Sequence, residues 1–467
     1  MAKPGKQAVV LIHGMGEQIP MDTIKGFVRA VWEEDPEIAQ RGTADPNTVW
    51  SHPDERAGSL ELRVLTTRRS ITSDAFPGGV RTDFYELYWA DLTGGSTWDQ
   101  FISWVRYLLF RPLGRVPRDV RGAWVLLWGL SLLILALALA SVLPSAWWHA
   151  IMPAWLPREL VVGVTAAGGY VLHRVVAQTF GRVVRYTRAK PDNIAARAAV
   201  RERGLALLRA LHANPDYGRV IVAAHSLGTI LAHDLIGYFW AEQARARAIA
   251  EDSPAFPALV RLESAAAALE AASDAMIEAA RDEYRAAQTE LRVHLATQAG
   301  ERWLISDFVT MGSPLTHAEF LLAWDQTDLK TRAAAREVPI APPQRERLDK
   351  TSARAAARAG LPVLAEPDAA RLIAYTPSTR SRTWILHHAA PFAVTRWTNL
   401  YDPARLVYQG DLIGGPLREN FGPAVHDVNL AAIDRRSTGF THTRYWDMRQ
   451  SPARIQALRD AINLLDR

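Results

Sequence analysis

Residues Gly218–Ile236 read GRVIVAAHSLGTILAHDLI, and the change of rhythm inside this stretch decides the fold class. Arg219 to Ala224 is an apolar run of strand length without polar alternation, the pattern of a strand covered on both faces. From Leu227 onward the apolar residues recur at helical spacing. Between the two lies Ala224-His225-Ser226-Leu227-Gly228, with the small residues Ala224 and Gly228 on either side of the serine. Strand, sharp turn and helix pass close together at such a point, so bulk is excluded there. The turn lifts Ser226 Oγ to the sheet top and aims the N–H of Leu227 at a developing oxyanion. A serine here also fits a plain helix N-cap, so the surrounding sequence has to decide.

Upstream, QAVVLIHGMGEQ places a second buried-type strand at Gln7 to Ile12, broken by His13-Gly14-Met15-Gly16. A loop of this kind supplies a second oxyanion donor, here the N–H of Met15. Gly14-x-Gly16 is not a dinucleotide fingerprint, because the third glycine falls where the chain has Ile19. Downstream come DFVTMGSPL (Asp307 to Leu315) and a C-terminal Asp…His region. These four segments together resemble the α/β-hydrolase superfamily, in particular lipase-like serine esterases. They bracket nearly the whole chain but match closely only over short stretches. One position departs from the pattern: the elbow's first residue, usually Gly, is Ala224.

The resemblance implies the chain order nucleophile, acid, histidine. Ser226 is then the nucleophile. The strand-like RWTNLY (Arg396 to Tyr401) leads into YDPARLVYQGDLIGGPL, which offers two acids. Asp411 opens DLIGG, similar to the segment that carries the acid in related lipases. Asp402, directly after the strand, is the alternative, and as a residue before Pro403 it also suits a turn. His442 in GFTHTRYWDM follows an expected last strand, Ala424 to Leu430, and precedes a helix, Pro452 to Leu465. His426 inside that strand reads as structural, and His225 and His387-His388 as core or loop residues. No cofactor or metal is required by this chemistry.

Composition sets the outer limits. The chain has 467 residues, 49% hydrophobic and 22% charged, which excludes wholesale disorder. It has no cysteine, so disulfides, thiolate nucleophiles and Cys-ligated zinc are ruled out. After MAKPGK the apolar run is too short for a signal peptide. The net charge of +5 conceals a bias: residues 101–200 hold twelve Arg/Lys and three Asp/Glu, a local +9 against −4 elsewhere. Within that block Gly122 to Pro157 carries no formal charge, and Ala123 to Leu143 is apolar over 21 residues. As a helix it would cover roughly 31 Å, about one hydrocarbon thickness. Leu160 to Phe180 offers a return span, the arginines flank both outer ends, and Phe101 to Phe110 suits an interfacial lead-in. By the positive-inside rule the expectation is an integral two-span hairpin with the catalytic domain on the cytoplasmic side. Basic residues grouped around apolar spans argue against nucleic-acid binding.

Pro257 to Gln298 is Ala-rich, with Leu262, Leu269, Met276, Tyr284 and Leu291 spaced near seven, the pattern of a long helix or a helix pair with one narrow apolar seam, ended by Gly300. It is expected to form a lid or a surface for a protein partner. Thr331 to Asp368 is expected to be a mobile loop with a short helix. The architecture expected is thus an α/β-hydrolase fold, a mostly parallel sheet flanked by helices, with a transmembrane hairpin and a lid-like insertion. Its parts are residues 1–100 with the oxyanion loop, 101–190 the membrane hairpin, 191–256 the nucleophile elbow, 257–300 the helical insertion, and 301–467 the acid and histidine. The function expected is a membrane-anchored serine hydrolase cleaving carboxylic esters, with the bilayer and an acyl ester, lipid in kind, as partners. A thioesterase or amidase on the same scaffold, or a non-catalytic hydrolase-like scaffold protein, stays open.

Overall fold

The computed structural model describes residues 5–14, 19–40, 48–55, 61–93, 121–144, 147–148, 153, 156–170, 194–298, 300–363, 370–404, 409–411, 413–434 and 439–467. Contacts divide the chain into two units, Met1–Trp89 with Ala198–Arg467, and Ala90–Arg197.

The first unit is α/β. Its sheet has eight strands: β1 (Lys6–Ile12), β2 (Val49–Pro53), β3 (Arg63–Thr67), β4 (Arg81–Leu87), β5 (Tyr217–His225), β6 (Ile305–Met311), β7 (Arg396–Tyr401) and β8 (His426–Asn429). Their spatial order is β8-β7-β6-β5-β1-β4-β3-β2. The six from β8 to β4 run parallel, and β3 and β2 complete the sheet by antiparallel pairing. The continuous apolar runs of β1 and β5 have this cause: each is flanked by parallel neighbours and covered on both faces.

Side-chain alternation along the strands divides two cores. Val9, Leu11, Ile221, Ala223, Val309, Met311 and Leu400 pack with helix α1 (Asp22–Val28) and the C-terminal helix. The intervening residues, among them Phe308 and Trp397, join Phe392 in a stack of aromatic rings. Elsewhere in this unit lie α3 (Ile194–Ala213, whose first turn belongs to the other unit), α4 (Gly228–Glu242), α5 (Phe256–Glu270), α6 (Ile277–Ala296) and α7 (Pro452–Ile462). The second unit contains α2 (Arg121–Ser141).

The expected transmembrane hairpin is corrected by this structure. Among the described residues no helix is long and apolar enough to cross a membrane. Among the described residues the return arm is helical over 158–170. Arg158 at its start donates to the carbonyls of Ser141 and Leu143. Ala140, Trp148 and Val161 close a small core of their own in this unit. The integral two-span assignment, its membrane localisation and its cytoplasmic orientation therefore fall. The lead-in Phe101–Phe110 and the basic flanks at 111–118 and 174–190 lie outside the described residues.

Of the two forms expected for 257–300, a long helix or a helix pair, the structure has the pair, α5 and α6. Leu262, Leu269, Tyr284 and Leu291 are buried along their seam, while Met276 is 59% exposed because it sits at the connection. Tyr284 donates through its hydroxyl to the Phe392 carbonyl, and Gln288 donates to those of Phe392 and Thr395. Those carbonyls immediately precede β7, so α6 is anchored at the N-terminal edge of the sheet. In the third stretch a helix, Lys350–Ala359, is capped by the Asp349 carboxylate, which accepts from the N–H groups of Thr351 and Ser352.

Candidate active site

Because the central strands are parallel, the loops that leave them meet at one edge. In an open α/β sheet that edge is where ligands bind. Here it gathers His13-Gly14 after β1, Ser226 after β5, Gly312-Ser313 after β6, Asp402 and Asp411 after β7, and His442 beyond β8.

Ser226 is 4% exposed and has φ +53°, a left-handed conformation that costs a residue with a Cβ about 1–2 kcal/mol. It is fixed from both sides: its N–H donates to the Met311 carbonyl and its carbonyl accepts from Thr229. The close approach foreseen for the elbow is tight on both flanks. A Cβ on Gly14 would stand 2.8 Å from Ser226 Cβ, and one on Gly228 would stand 2.5 Å from the His13 and Ile12 carbonyl oxygens. Ala224 is fully buried in β5, where its one methyl group fits. Leu227 is the N-cap of α4, where backbone N–H groups have no acceptor one turn earlier. Met15 and Gly16 lie outside the described residues. His13 is buried: Nδ1 donates to the Gly14 carbonyl and Nε2 accepts from Trp89 N–H, while its ring stacks on the Trp89 indole. These contacts fix the loop after β1.

His442 Nε2 lies 2.9 Å from Ser226 Oγ, and its Nδ1 lies 3.0 Å from both carboxylate oxygens of Asp411. A carboxylate accepts only, so Nδ1 carries the proton and Nε2 is left to accept from the serine. Asp411 is buried, which alone would raise its pKa. Bonds from His442, Tyr445 and the Gly414 N–H overcome that and bring it down to about 2. Asp402 is also buried, but it is engaged by Arg454 of α7, with Nη1 2.8 Å from Oδ2. Of the two acids, the structure brings Asp411 to the histidine and gives Asp402 to the last helix.

Two neighbours carry no signal in the sequence. His225 donates from Nε2 to the main-chain carbonyl of His442 at 2.6 Å. Burial, reinforced by His442, depresses its pKa to about 3, so it stays neutral. Tyr445 donates from its hydroxyl to Asp411 Oδ2 at 2.7 Å. A tyrosine three residues after the histidine suggests nothing by itself; only the fold of the loop turns it back on the acid.

Other polar groups lie apart from this edge. Arg219, Asp307, Arg396 and Asp466 form a buried ion network at the beginning of β5, β6 and β7. A groove of about 1040 Å³ runs between α6, α7 and β8, and none of Ser226, Asp411 and His442 lines it. Among the described residues no group of three or more His, Asp or Glu side chains is arranged to hold a metal ion. The chain matches no family model, no curated protein and no solved structure.

Proposed function

We propose that this protein is a serine hydrolase that cleaves carboxylic esters through an acyl-enzyme intermediate. One observation carries the reading: the unbroken hydrogen-bond chain from Ser226 Oγ through the His442 imidazole to Asp411. In the first half-reaction His442 Nε2 takes the Ser226 proton as Oγ attacks the acyl carbon. Asp411 holds Nδ1–H and stabilises the imidazolium that forms. The Leu227 N–H and a donor from the loop after β1 are assigned to the oxyanion, in the role expected for Met15. His442 then protonates the leaving alcohol, and in the second half-reaction it deprotonates the water that releases the acid. The left-handed backbone at Ser226 supports the same reading, since strain of this kind is retained where it aims a reacting group.

The ester class follows from the resemblance noted in the sequence. Its lipid refinement rested on the membrane hairpin and has lost that support. α6 is tied to the sheet edge opposite Ser226, which favours a structural part for it over that of a lid. The experiment is labelling with a fluorophosphonate probe. The wild-type chain is expected to react, and Ser226→Ala to lose the label completely. A label that persists in the Ala variant overturns the nucleophile.

A further inference from the structure

Asp411 is held by more than the histidine. Ile413 N–H donates to Oδ1 at 2.8 Å, and the Tyr445 hydroxyl donates to Oδ2 at 2.7 Å. Backbone closes in on the same oxygen, because a Cβ on Gly312 or Gly414 would stand 2.8 or 2.7 Å from Oδ2. Tyr445 is 5% exposed, and its ring lies against Gly312, whose added Cβ would come within 2.7 Å of Cε2. Burial and the adjacent carboxylate push its phenol well above the usual range, so it remains a donor. A carboxylate gripped at one oxygen can turn about its Cβ–Cγ bond. Gripped at both, it keeps both oxygens facing Nδ1, as their equal 3.0 Å distances record. Each donor on the carboxylate also competes with Nδ1–H for the same negative charge.

We propose that Tyr445 is a positioning residue of this site: its hydroxyl pins the Asp411 carboxylate plane and draws off part of the charge that Asp411 presents to His442. This rests on the hydrolase reading. It adds a fourth member that acts on the serine only through the acid and the histidine.

The test uses the full chain with ¹⁵N-labelled histidine and follows the His442 Nδ1 proton by NMR, assigned by its loss in His442→Gln. In Tyr445→Phe the freed charge strengthens the Asp411–His442 bond, and the resonance moves downfield. Fluorophosphonate labelling slows about 10-fold, as the loosened carboxylate lets the imidazole drift from its 2.9 Å approach to Ser226 Oγ. Replacing Tyr445 by 3-fluorotyrosine, a stronger donor that keeps the ring, moves the resonance upfield and needs no deletion. In an Asp411→Asn background Tyr445→Phe has no further effect on labelling. A resonance that stays in place or moves the other way in both variants overturns the proposal. Failure of the wild-type chain to label at Ser226 would instead sink the hydrolase reading, and the resonance would still judge Tyr445.

Discussion

Gly312 and Gly439 both have positive φ, +56° and +79°, yet they stand in opposite surroundings. A Cβ on Gly439 meets nothing within 4 Å, whereas one on Gly312 would stand 2.7 Å from Tyr445 Cε2, 2.8 Å from Asp411 Oδ2 and 3.1 Å from His442 Nδ1. Replacing each by alanine separates backbone strain from crowding at the site. The left-handed conformation costs alanine about 1–2 kcal/mol, and stiffening of the unfolded chain returns about 0.4–1 kcal/mol. Gly439→Ala should therefore lose about 0.5–1 kcal/mol. Gly312→Ala adds overpacking of about 1–3 kcal/mol, because the buried neighbours cannot all retreat. Urea unfolding should place it about 1.5–4 kcal/mol below wild type. Relief of the clash must also move Asp411, Tyr445 or His442, and a 1 Å displacement of a catalytic group costs on the order of 100-fold in rate. Fluorophosphonate labelling should fall by about that factor in Gly312→Ala and stay near wild type in Gly439→Ala. Equal stability losses in the two variants, with labelling intact in both, would refute the reasoning.

The two aspartates after β7 should separate by phenotype. Asp411→Asn should slow labelling by about 10⁴-fold with stability little changed, through loss of the correct imidazole tautomer. Asp402→Asn should keep labelling but lose about 3–5 kcal/mol in urea unfolding, because Arg454 is left buried without its counter-charge. Burial acts to raise the Asp307 carboxyl, but Arg396 and Arg219 outweigh it and hold the group far below the ordinary 3.8. A depressed folded pKa contributes stability that is complete above the unfolded value and is lost as pH falls. Urea midpoints should thus drop on acidification from about pH 4 downward. Asp307→Asn should be less stable at neutral pH and show a flatter acid limb; an acid limb as steep as wild type would exclude Asp307 as its source.

The parts of the fold that could be read from the sequence are those where local chemistry admits one solution. β1, β5 and β7 announce themselves as strands between breakers, and the serine turn demands Ala224 and Gly228. The α/β class with a mostly parallel sheet follows from them. β2 (Val49–Pro53), exposed at four of its five residues, has no such pattern, since an edge strand paired on one side tolerates almost any side chain. The DLIGG segment by itself favours Asp411 over Asp402; what it cannot show is that Arg454, far along the chain, engages Asp402 once α7 docks. The Tyr445 contact with Asp411 is likewise made by the fold of the loop. The membrane assignment failed because a run of apolar residues does not say what will cover it: Ala140, Trp148 and Val161 pack on one another in a small core of the second unit. The near-seven spacing leaves one helix and a helix pair equally open, because a count of residues does not register the turn at Met276 that joins α5 to α6.

The position of β1 has a consequence in time. It leaves the ribosome before any of its neighbours, yet Ala8 pairs with Asp83 on one side and with Val220 on the other, 212 residues away by subtraction. Its Gln7 side chain donates to the carbonyl of Leu464, further still. Loop-closure entropy must be met before such contacts return any energy, so folding dominated by them is slow. Until β5 arrives, one edge of β1 is an unpaired row of amides flanked by apolar side chains, the condition in which chains pair with each other. This protein should accordingly depend on holding chaperones during synthesis more than its finished stability suggests, and Ser226 should gain a base only when the segment bearing His442 has closed over β5.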